Sequence, residues 1–302
     1  MELFNSILTV AFLTQVFRLM TPYYLGASAA NFSERGGVIN IAIEGFMILS
    51  AFSFAMFNIL THNIPLAIFL ALIINVVFAL LYSVFTVKLK INQIVTGVGF
   101  NILIAGLTKF LMMIIFHSSS NTERFEGIPD NELIGKIPLV GAILSDYIVL
   151  FALILIFLSN FILFKTTFGL RLRSVGENPE AAESLGIKVR RYKVYGILIS
   201  GFLAALGGIW LASEQKSFSD GMIAGRGYIA LAAMIIGKWK PVNIFFASLI
   251  FAFFEALQIS IQISGVPIPS QLIQMLPYLI TILVLIGLIG KTKPPAADGV
   301  PY

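Results

Sequence analysis

The sequence contains no cysteine and only two histidines. The absence of cysteine excludes disulfide bonds, thiolate nucleophiles and cysteine-ligated zinc or iron–sulfur centres. With only two histidines, a site built from several histidine ligands is also disfavoured. We therefore expect no metal and no cofactor in this chain.

Charged side chains are scarce as well. They make up 12% of the 302 residues, against about a quarter in an average soluble domain, whereas 58% of the residues are hydrophobic. A water-soluble fold of this length has no room to bury that much apolar surface. The net charge of +5 does not indicate nucleic acid as a partner, because the basic residues lie in short segments between apolar runs. The composition predicts an integral membrane protein surrounded by lipid.

Familiar nucleotide-binding and catalytic motifs are also missing. The phosphate-binding pattern G-x4-G-K-[ST] has one near match, Gly290-Lys291-Thr292, but Leu285 occupies the position of the first glycine. The near match also closes an apolar helix, whereas a phosphate-binding loop follows a strand. The patterns G-x-S-x-G, H-E-x-x-H and G-x-G-x-x-G do not occur. We expect no catalytic residues, so the chain is predicted not to be an enzyme.

Most of the sequence consists of long apolar runs. A helix of about 20 apolar residues crosses a hydrocarbon core about 30 Å thick. We predict an all-α fold, a polytopic transmembrane helical bundle of eight or nine segments over residues 1–290. A disordered cytoplasmic tail, rich in proline, is predicted at 291–302. The runs are 3–25, 45–60, 64–87, 91–116, 146–164, 194–213, 242–263 and 272–290, with a shorter ninth at 228–237 that forms a half-helix or joins 221–226.

Lysine and arginine are distributed unevenly between the predicted loops. Short basic loops remain on the cytoplasmic side of a membrane. If the C-terminal tail is inside, thirteen basic residues fall in inner segments and four in outer loops. We therefore predict an outside N-terminus, a cytoplasmic C-terminus and a cytoplasmic loop at 165–193. Arg18 is expected to extend its side chain to the membrane interface.

A short helix is predicted within the 165–193 loop. Asn178 suits the N-cap, Pro179 suits the first helical position, and Glu180 complements the positive end of the helix dipole. Gly186 suits the left-handed residue that ends a helix. The predicted helix, 179–185, is too short to be stable alone in water, so it needs a surface on which to dock.

The same loop carries a family resemblance. Its segment EAAESLG resembles the EAA-x3-G loop of permease subunits of bacterial ATP-binding-cassette (ABC) importers. The stretches 176–187 and 34–47, the latter reading ERGGVINIAIEGFM, resemble the ribose and nucleoside branch of the branched-chain amino acid permease superfamily, and the nucleoside type most closely. The I-x-L-P that follows many such loops is absent, since 196–200 reads GILIS. The residues that the resemblance assigns to ATPase coupling are Asn178, Pro179, Glu180, Ala181, Ala182 and Gly186.

The resemblance implies a subunit in the bacterial plasma (inner) membrane that forms the translocation pathway for a nucleoside. It implies three partners: a separate ABC ATPase with a groove for the short helix, a second permease that forms a heterodimer, and an extracytoplasmic substrate-binding lipoprotein. Ribose-like sugars, riboflavin and branched-chain amino acids remain alternative substrates. A secondary transporter driven by an ion gradient, with Glu255 as its coupling acid, remains an alternative class.

Polar residues within the apolar runs are candidates for the pathway, because polar side chains in hydrocarbon usually face the bundle interior or water. Four of them share an arc of about 80° in the 242–263 run, and others lie in the 91–116 run. The stretch 31–45 is predicted to be bent and partly re-entrant. The alternative explanations are hydrogen bonding between helices for the 242–263 run, tight helix packing for the 91–116 run and a plain loop for 31–45. The candidates are Asn40, Glu44, Gln93, Asn101, Ser248, Glu255, Gln258 and Gln262, with Lys109 a conceivable partner for Glu255.

Overall fold

The computed structural model describes residues 9–137, 141–264, 269–275, 279, 282 and 293–302. Within these ranges the chain is helical and has no β-strand, which confirms the predicted all-α class. The helices are α1 (Val10–Arg35), α2 (Ile43–Thr61), α3 (Ile64–Ser83, extended by a π-helical turn at Val84–Lys88), α4 (Gln93–Phe116), α5 (Glu132–Gly135), α6 (Gly141–Leu144), α7 (Tyr147–Lys165), α8 (Thr167–Glu177), α9 (Pro179–Ser184), α10 (Val189–Gln215), α11 (Arg226–Ile236), α12 (Pro241–Ile263) and α13 (Ser270–Gln274).

Six helices in the described part of the chain are long and apolar enough to cross a membrane: α2, α3 with its extension, α4, α7, α10 and α12. They coincide with six of the predicted runs, so the chain is a multi-pass membrane protein. Of the other two runs, 3–25 overlaps α1 but begins outside the described residues, and 272–290 lies mostly outside them. The count of eight or nine segments and the orientation of the termini remain predictions.

Helix α1 occupies the centre of the bundle. Every residue from Met20 to Glu34 is buried, and the helix packs against α10, α11 and α12. Small residues make this close packing possible, as is typical of helices in membranes. A Cβ added at Gly26, for example, would lie 2.9 Å from the Cβ atom of Ala230 in α11. The apolar helices α3 and α4 lie at the periphery instead and expose large side chains such as Ile102, which suits contact with lipid.

Irregular backbone connects α1 to α2. Gly36 and Gly37 interrupt the helix, and Gly37 adopts a positive φ of 75°. Val38, Asn40 and Ala42 are buried, so this connection runs through the protein and not over its surface. We call residues 36–42 the inner connection.

The C-terminal residues 293–302 pack against the protein, which differs from the disordered tail expected at 291–302. Ala297 is buried, and its backbone N–H donates to the carbonyl oxygen of Gly176 at 2.9 Å. The tail is held by residues that are far from it in the sequence. Gly37 and Gly176 leave a groove without side chains, and Gly299, with a φ of 78°, allows the chain to turn within it. Residues 291 and 292 lie outside the described residues.

Candidate functional site: the short helix and the polar bundle interior

Helix α9, at Pro179–Ser184, lies where the sequence predicts it and ends one residue earlier than expected. The side chain of Asn178 accepts a hydrogen bond from the N–H of Ala181 at 3.0 Å, as an N-cap does. Gly186 has a φ of 80°. The N–H groups of Gly186 and Ile187 donate to the carbonyl oxygens of Glu183 and Ala182, the Schellman pattern of helix ends.

One face of α9 is docked and the other is open. Ala182 is buried in a small apolar cluster with Val175 of α8 and Val189 of α10. Leu185, by contrast, is 81% exposed, and Glu180 is exposed as well. The outer face of α9 is therefore accessible for contact with another protein.

Helix α8 presses the loop against the end of α1. A Cβ added at Gly176 would lie only 2.4 Å from the carbonyl oxygen of Arg35, so the two backbones meet without an intervening side chain. The guanidinium group of Arg35 donates to the carbonyl oxygen of Trp239, with an Nη2–O distance of 2.8 Å. Trp239 lies in the turn between α11 and α12. The loop is therefore in direct contact with α1, and through Arg35 with the α11–α12 turn.

Two of the predicted pathway residues bind the inner connection, and a third, Asn40, belongs to it. The Oε1 atom of Gln93 accepts a hydrogen bond from the N–H of Ile39 at 2.7 Å. Asn101 donates to the carbonyl oxygen of Ile41 at 3.0 Å and accepts from a backbone N–H at the start of α2. Asn40 donates to the hydroxyl of Ser200 in α10 at 2.9 Å. These amides satisfy non-helical backbone and buried polar groups, as a protein interior requires.

Glu44 holds the beginning of α11. Its two carboxylate oxygens accept hydrogen bonds from the N–H groups of Gly225, at 2.9 Å, and Gly227, at 2.7 Å. A carboxylate at this end also complements the helix dipole. A Cβ added at Gly227 would lie 2.7 Å from the Cα atom of Glu44, so only glycine fits this approach. Glu44 thus fixes α11 to α2.

Glu255 forms an ion pair with Arg226 inside the bundle, and both side chains are largely buried. Two cavities share this pair. One, of about 220 Å³, is also lined by Tyr23 and Gln258, and the other, of about 490 Å³, extends toward Arg18 and Trp210. Of the four candidates in α12, Glu255 and Gln258 therefore line a cavity, whereas Ser248 is fully buried and Gln262 is exposed.

One charged partnership differs from the sequence expectation. Lys109 pairs with Asp220 at 2.9 Å and not with Glu255. Arg18 lies among the carboxylates of Glu214, Asp130 and Asp146, at 3.2, 3.5 and 3.8 Å respectively, and its position at the membrane interface remains a prediction. Arg226 was not among the predicted site residues, and the only local signal for it is a lone arginine between a glycine-rich turn and an apolar run.

A multi-pass helical bundle with polar cavities between its helices is typical of membrane transport proteins. Residues 12–285 match the family described as "Branched-chain amino acid transport system / permease component". The chain belongs to this family, which confirms the resemblance drawn from its motifs.

Three relatives show which members of the family this chain resembles. Nucleoside ABC transporter permease protein NupC of Lactococcus lactis subsp. cremoris (strain MG1363) is 40% identical, over 93% of each chain. Guanosine ABC transporter permease protein NupQ of Bacillus subtilis (strain 168) is 39% identical, over 93% of this chain and 92% of NupQ. Nucleoside ABC transporter permease protein NupB of the same Lactococcus strain is 23% identical, over 95% of this chain and 82% of NupB. All three are transporter permeases and not enzymes.

The buried ion pair generates a stability prediction. Replacing Arg226 by Met leaves Glu255 as an uncompensated buried charge, which we expect to cost about 3–5 kcal/mol of unfolding free energy. Asp220→Asn breaks the exposed pair with Lys109 and is the matched control, with an expected cost below about 1 kcal/mol. Denaturation of the detergent-purified variants measures both. The double variant Arg226→Met/Glu255→Leu recovers most of the loss, and equal stabilities of Arg226→Met and Asp220→Asn contradict the assignment.

Proposed function

We propose that the chain is the transmembrane permease subunit of an ABC importer in the bacterial plasma membrane and forms the translocation pathway for a nucleoside. The observation that carries the proposal is α9, a capped helix docked on α8 with an open outer face, in a chain that is 40% identical to NupC. The six residues Asn178, Pro179, Glu180, Ala181, Ala182 and Gly186 hold this helix in place or form its contact surface, so that a separate ABC ATPase binds there.

The side of the bundle that carries α9 faces the cytoplasm in this proposal. The basic loop around α9 and the α11–α12 turn meet at the end of α1, because Arg35 contacts both. Lys238 and Lys240 flank the contacted Trp239, and the π-helical turn ending at Lys88 lies near the inner connection. Positive charge on one side supports this orientation. The N-terminus is then outside, if the predicted segment count holds.

The contacts of α9 with α8, and of α8 with the end of α1, provide a route of coupling between the ATPase and the pathway. Movement of α9 is transferred to α8, and from Gly176 to the end of α1, because no side chain separates their backbones. Arg35 passes the movement to Trp239, and so to the facing ends of α11 and α12. These two helices carry Arg226 and Glu255. We propose that nucleotide-driven closure of the ATPase thereby shifts α11 relative to α12, giving alternating access.

The proposed pathway runs through the two cavities that share the Arg226–Glu255 pair. A nucleoside is uncharged and rich in hydrogen-bond donors and acceptors, and the side chains of Glu255, Gln258 and Tyr23 offer both kinds of group to the smaller cavity. Parting of the ion pair would join the two cavities. The amides of Gln93, Asn101 and Asn40 hold the inner connection in place, and we propose that they serve as structural supports.

Three further proteins complete the proposed importer: the ATPase, a second permease and a lipoprotein. The occurrence of NupC and NupB in one organism, both nucleoside permeases by name, supports a heterodimer of this chain with a second permease of the NupB kind. An extracytoplasmic lipoprotein delivers the nucleoside to the outer side. Ribose-like sugars, riboflavin and branched-chain amino acids are the alternative substrates within the same class.

Binding of the ATPase tests the role of α9. Leu185→Arg and Glu180→Arg change exposed side chains, so we expect the fold to be retained. We expect both to reduce copurification of the ATPase at least about tenfold, because an arginine placed in the interface buries an unpaired charge, and a penalty of about 1.4 kcal/mol already corresponds to tenfold weaker binding. Glu132→Arg, the same charge change on the exposed outer helix α5, is the matched control. Undiminished ATPase binding by both α9 variants would exclude the proposed contact.

Uptake into liposomes separates the importer from a secondary transporter. Vesicles that contain the chain together with its ATPase, the second permease and the lipoprotein should accumulate labelled guanosine only when ATP is supplied. Vesicles with this chain alone should show no uptake under a proton or sodium gradient. Gradient-driven uptake by the chain alone would assign it to the secondary transporters instead.

A further inference from the structure

The C-terminal residues 293–302, which we call the C-terminal strap, lie in a groove between α8, α9, α10 and the inner connection. Ala297 is the buried centre of the strap, bonded through its N–H to Gly176. A Cβ added at Gly37 would lie 3.2 Å from the carbonyl oxygen of Ala297, so the glycine leaves room for the strap. The strap thus touches the same two glycines that bring α8 to the end of α1.

Lys193 of α10 depends on the strap for its hydrogen bonds. The residue is only 2% exposed, and its Nζ atom donates to the carbonyl oxygen of Val300 at 3.1 Å and to that of Gly37 at 3.2 Å. A buried ammonium group is costly unless it is paired. Asp298, which also belongs to the strap, supplies a nearby negative charge. Without the strap, Lys193 would keep a single carbonyl partner among the described residues.

Asp298 joins the strap to the end of α1. Its carboxyl group lies next to that of Glu34. Glu34 in turn accepts a hydrogen bond from the indole N–H of Trp239 at 2.7 Å. Through Glu34, the strap therefore approaches the turn between α11 and α12 that Arg35 contacts.

The end of the strap reaches the short helix itself. The hydroxyl of Tyr302 donates to a carboxylate oxygen of Glu183, and its ring packs on the apolar cluster that holds Ala182. The backbone N–H of Ala296 donates to Glu177, just before the N-cap of α9, at 3.3 Å. Contacts from the strap thus lie just before α9 and near its C-terminal end.

We infer that the C-terminal strap positions α9 for the ATPase by joining it to α10, the inner connection and the end of α1, with Tyr302 and Asp298 as positioning residues. A helix of this length has little stability of its own, so its orientation depends on what holds it. The strap adds a second connection from α9 to the bundle, beside the one through α8. The inference rests on the proposed function.

Docking of the strap can be measured without reference to transport. The sequence has no cysteine, so Ala297→Cys gives a single thiol that is buried while the strap is docked. We expect slow labelling in this background, and labelling roughly 25-fold faster when Asp298→Ala and Tyr302→Phe are added, since each lost polar interaction of about 1 kcal/mol shifts an equilibrium roughly fivefold. Tyr195→Phe, an exposed tyrosine of α10, is the matched control. Equal labelling rates in all three would overturn the docking role.

Coupling is then measured in the reconstituted importer as guanosine transported per ATP hydrolysed. The Asp298→Ala/Tyr302→Phe variant should lower this ratio several-fold, whereas a merely structural role would lower both rates together and leave the ratio unchanged. Tyr302→Phe alone retains the ring and should give an intermediate ratio. An unchanged ratio in the double variant overturns the inference and leaves the proposed function intact. Failure of the unmodified chain to bind any ATPase would instead overturn the proposed function.

Discussion

Buried backbone that is not helical must find hydrogen-bond partners outside itself, and the inner connection imposes this requirement on the rest of the bundle. Its N–H and carbonyl groups are bound by Gln93, Asn101 and Tyr82, which come from α4 and α3. Asn40 links the connection to α10. Helices α3, α4 and α10 are thereby held in one arrangement around a segment that two glycines keep irregular.

This arrangement also determines what the loop with α9 is able to move. The inner connection begins directly after Arg35, so the contact of Gly176 with Arg35 lies at the joint between α1 and the connection. Arg35 and Glu34 both reach Trp239, and the C-terminal strap reaches Glu34. Force applied to the loop therefore meets α1, the inner connection and the α11–α12 turn at one place. In the proposed importer, this place connects the ATPase to the helices that carry the Arg226–Glu255 pair.

Local signals were sufficient for part of the fold. The caps of α9 depend on residues within a few positions of the helix, so Asn178 predicts its start and Gly186 its end to within one residue. Apolar length predicts eight or nine segments, and six of them are long apolar helices in the described part of the chain. The helical arc that places Gln93 and Asn101 on one face also holds, but an arc does not tell which neighbour that face meets. Their partners are backbone atoms of another segment, more than 50 positions away.

Other features depend on contacts that no local pattern encodes. The partner of Glu255 lies 29 positions away in a separate helix, and the partner of Lys109 lies 111 positions away. Proline content predicts a disordered tail, yet docking of the strap depends on space left by Gly37 and Gly176. Packing in three dimensions, and not composition, decides whether such a segment is held.

In the proposed importer, the loop, the end of α1 and the α11–α12 turn move as one body. Spin labels on Leu170 of α8 and Val242 of α12, both exposed, report the distance within this body, and a label on the exposed Leu60, at the end of α2 away from the inner connection, provides an outside reference. When the reconstituted importer is trapped with ATP, the Leu170–Val242 distance should stay constant while both distances to Leu60 change. A change of several ångströms between Leu170 and Val242, with Val242 fixed relative to Leu60, would contradict the account.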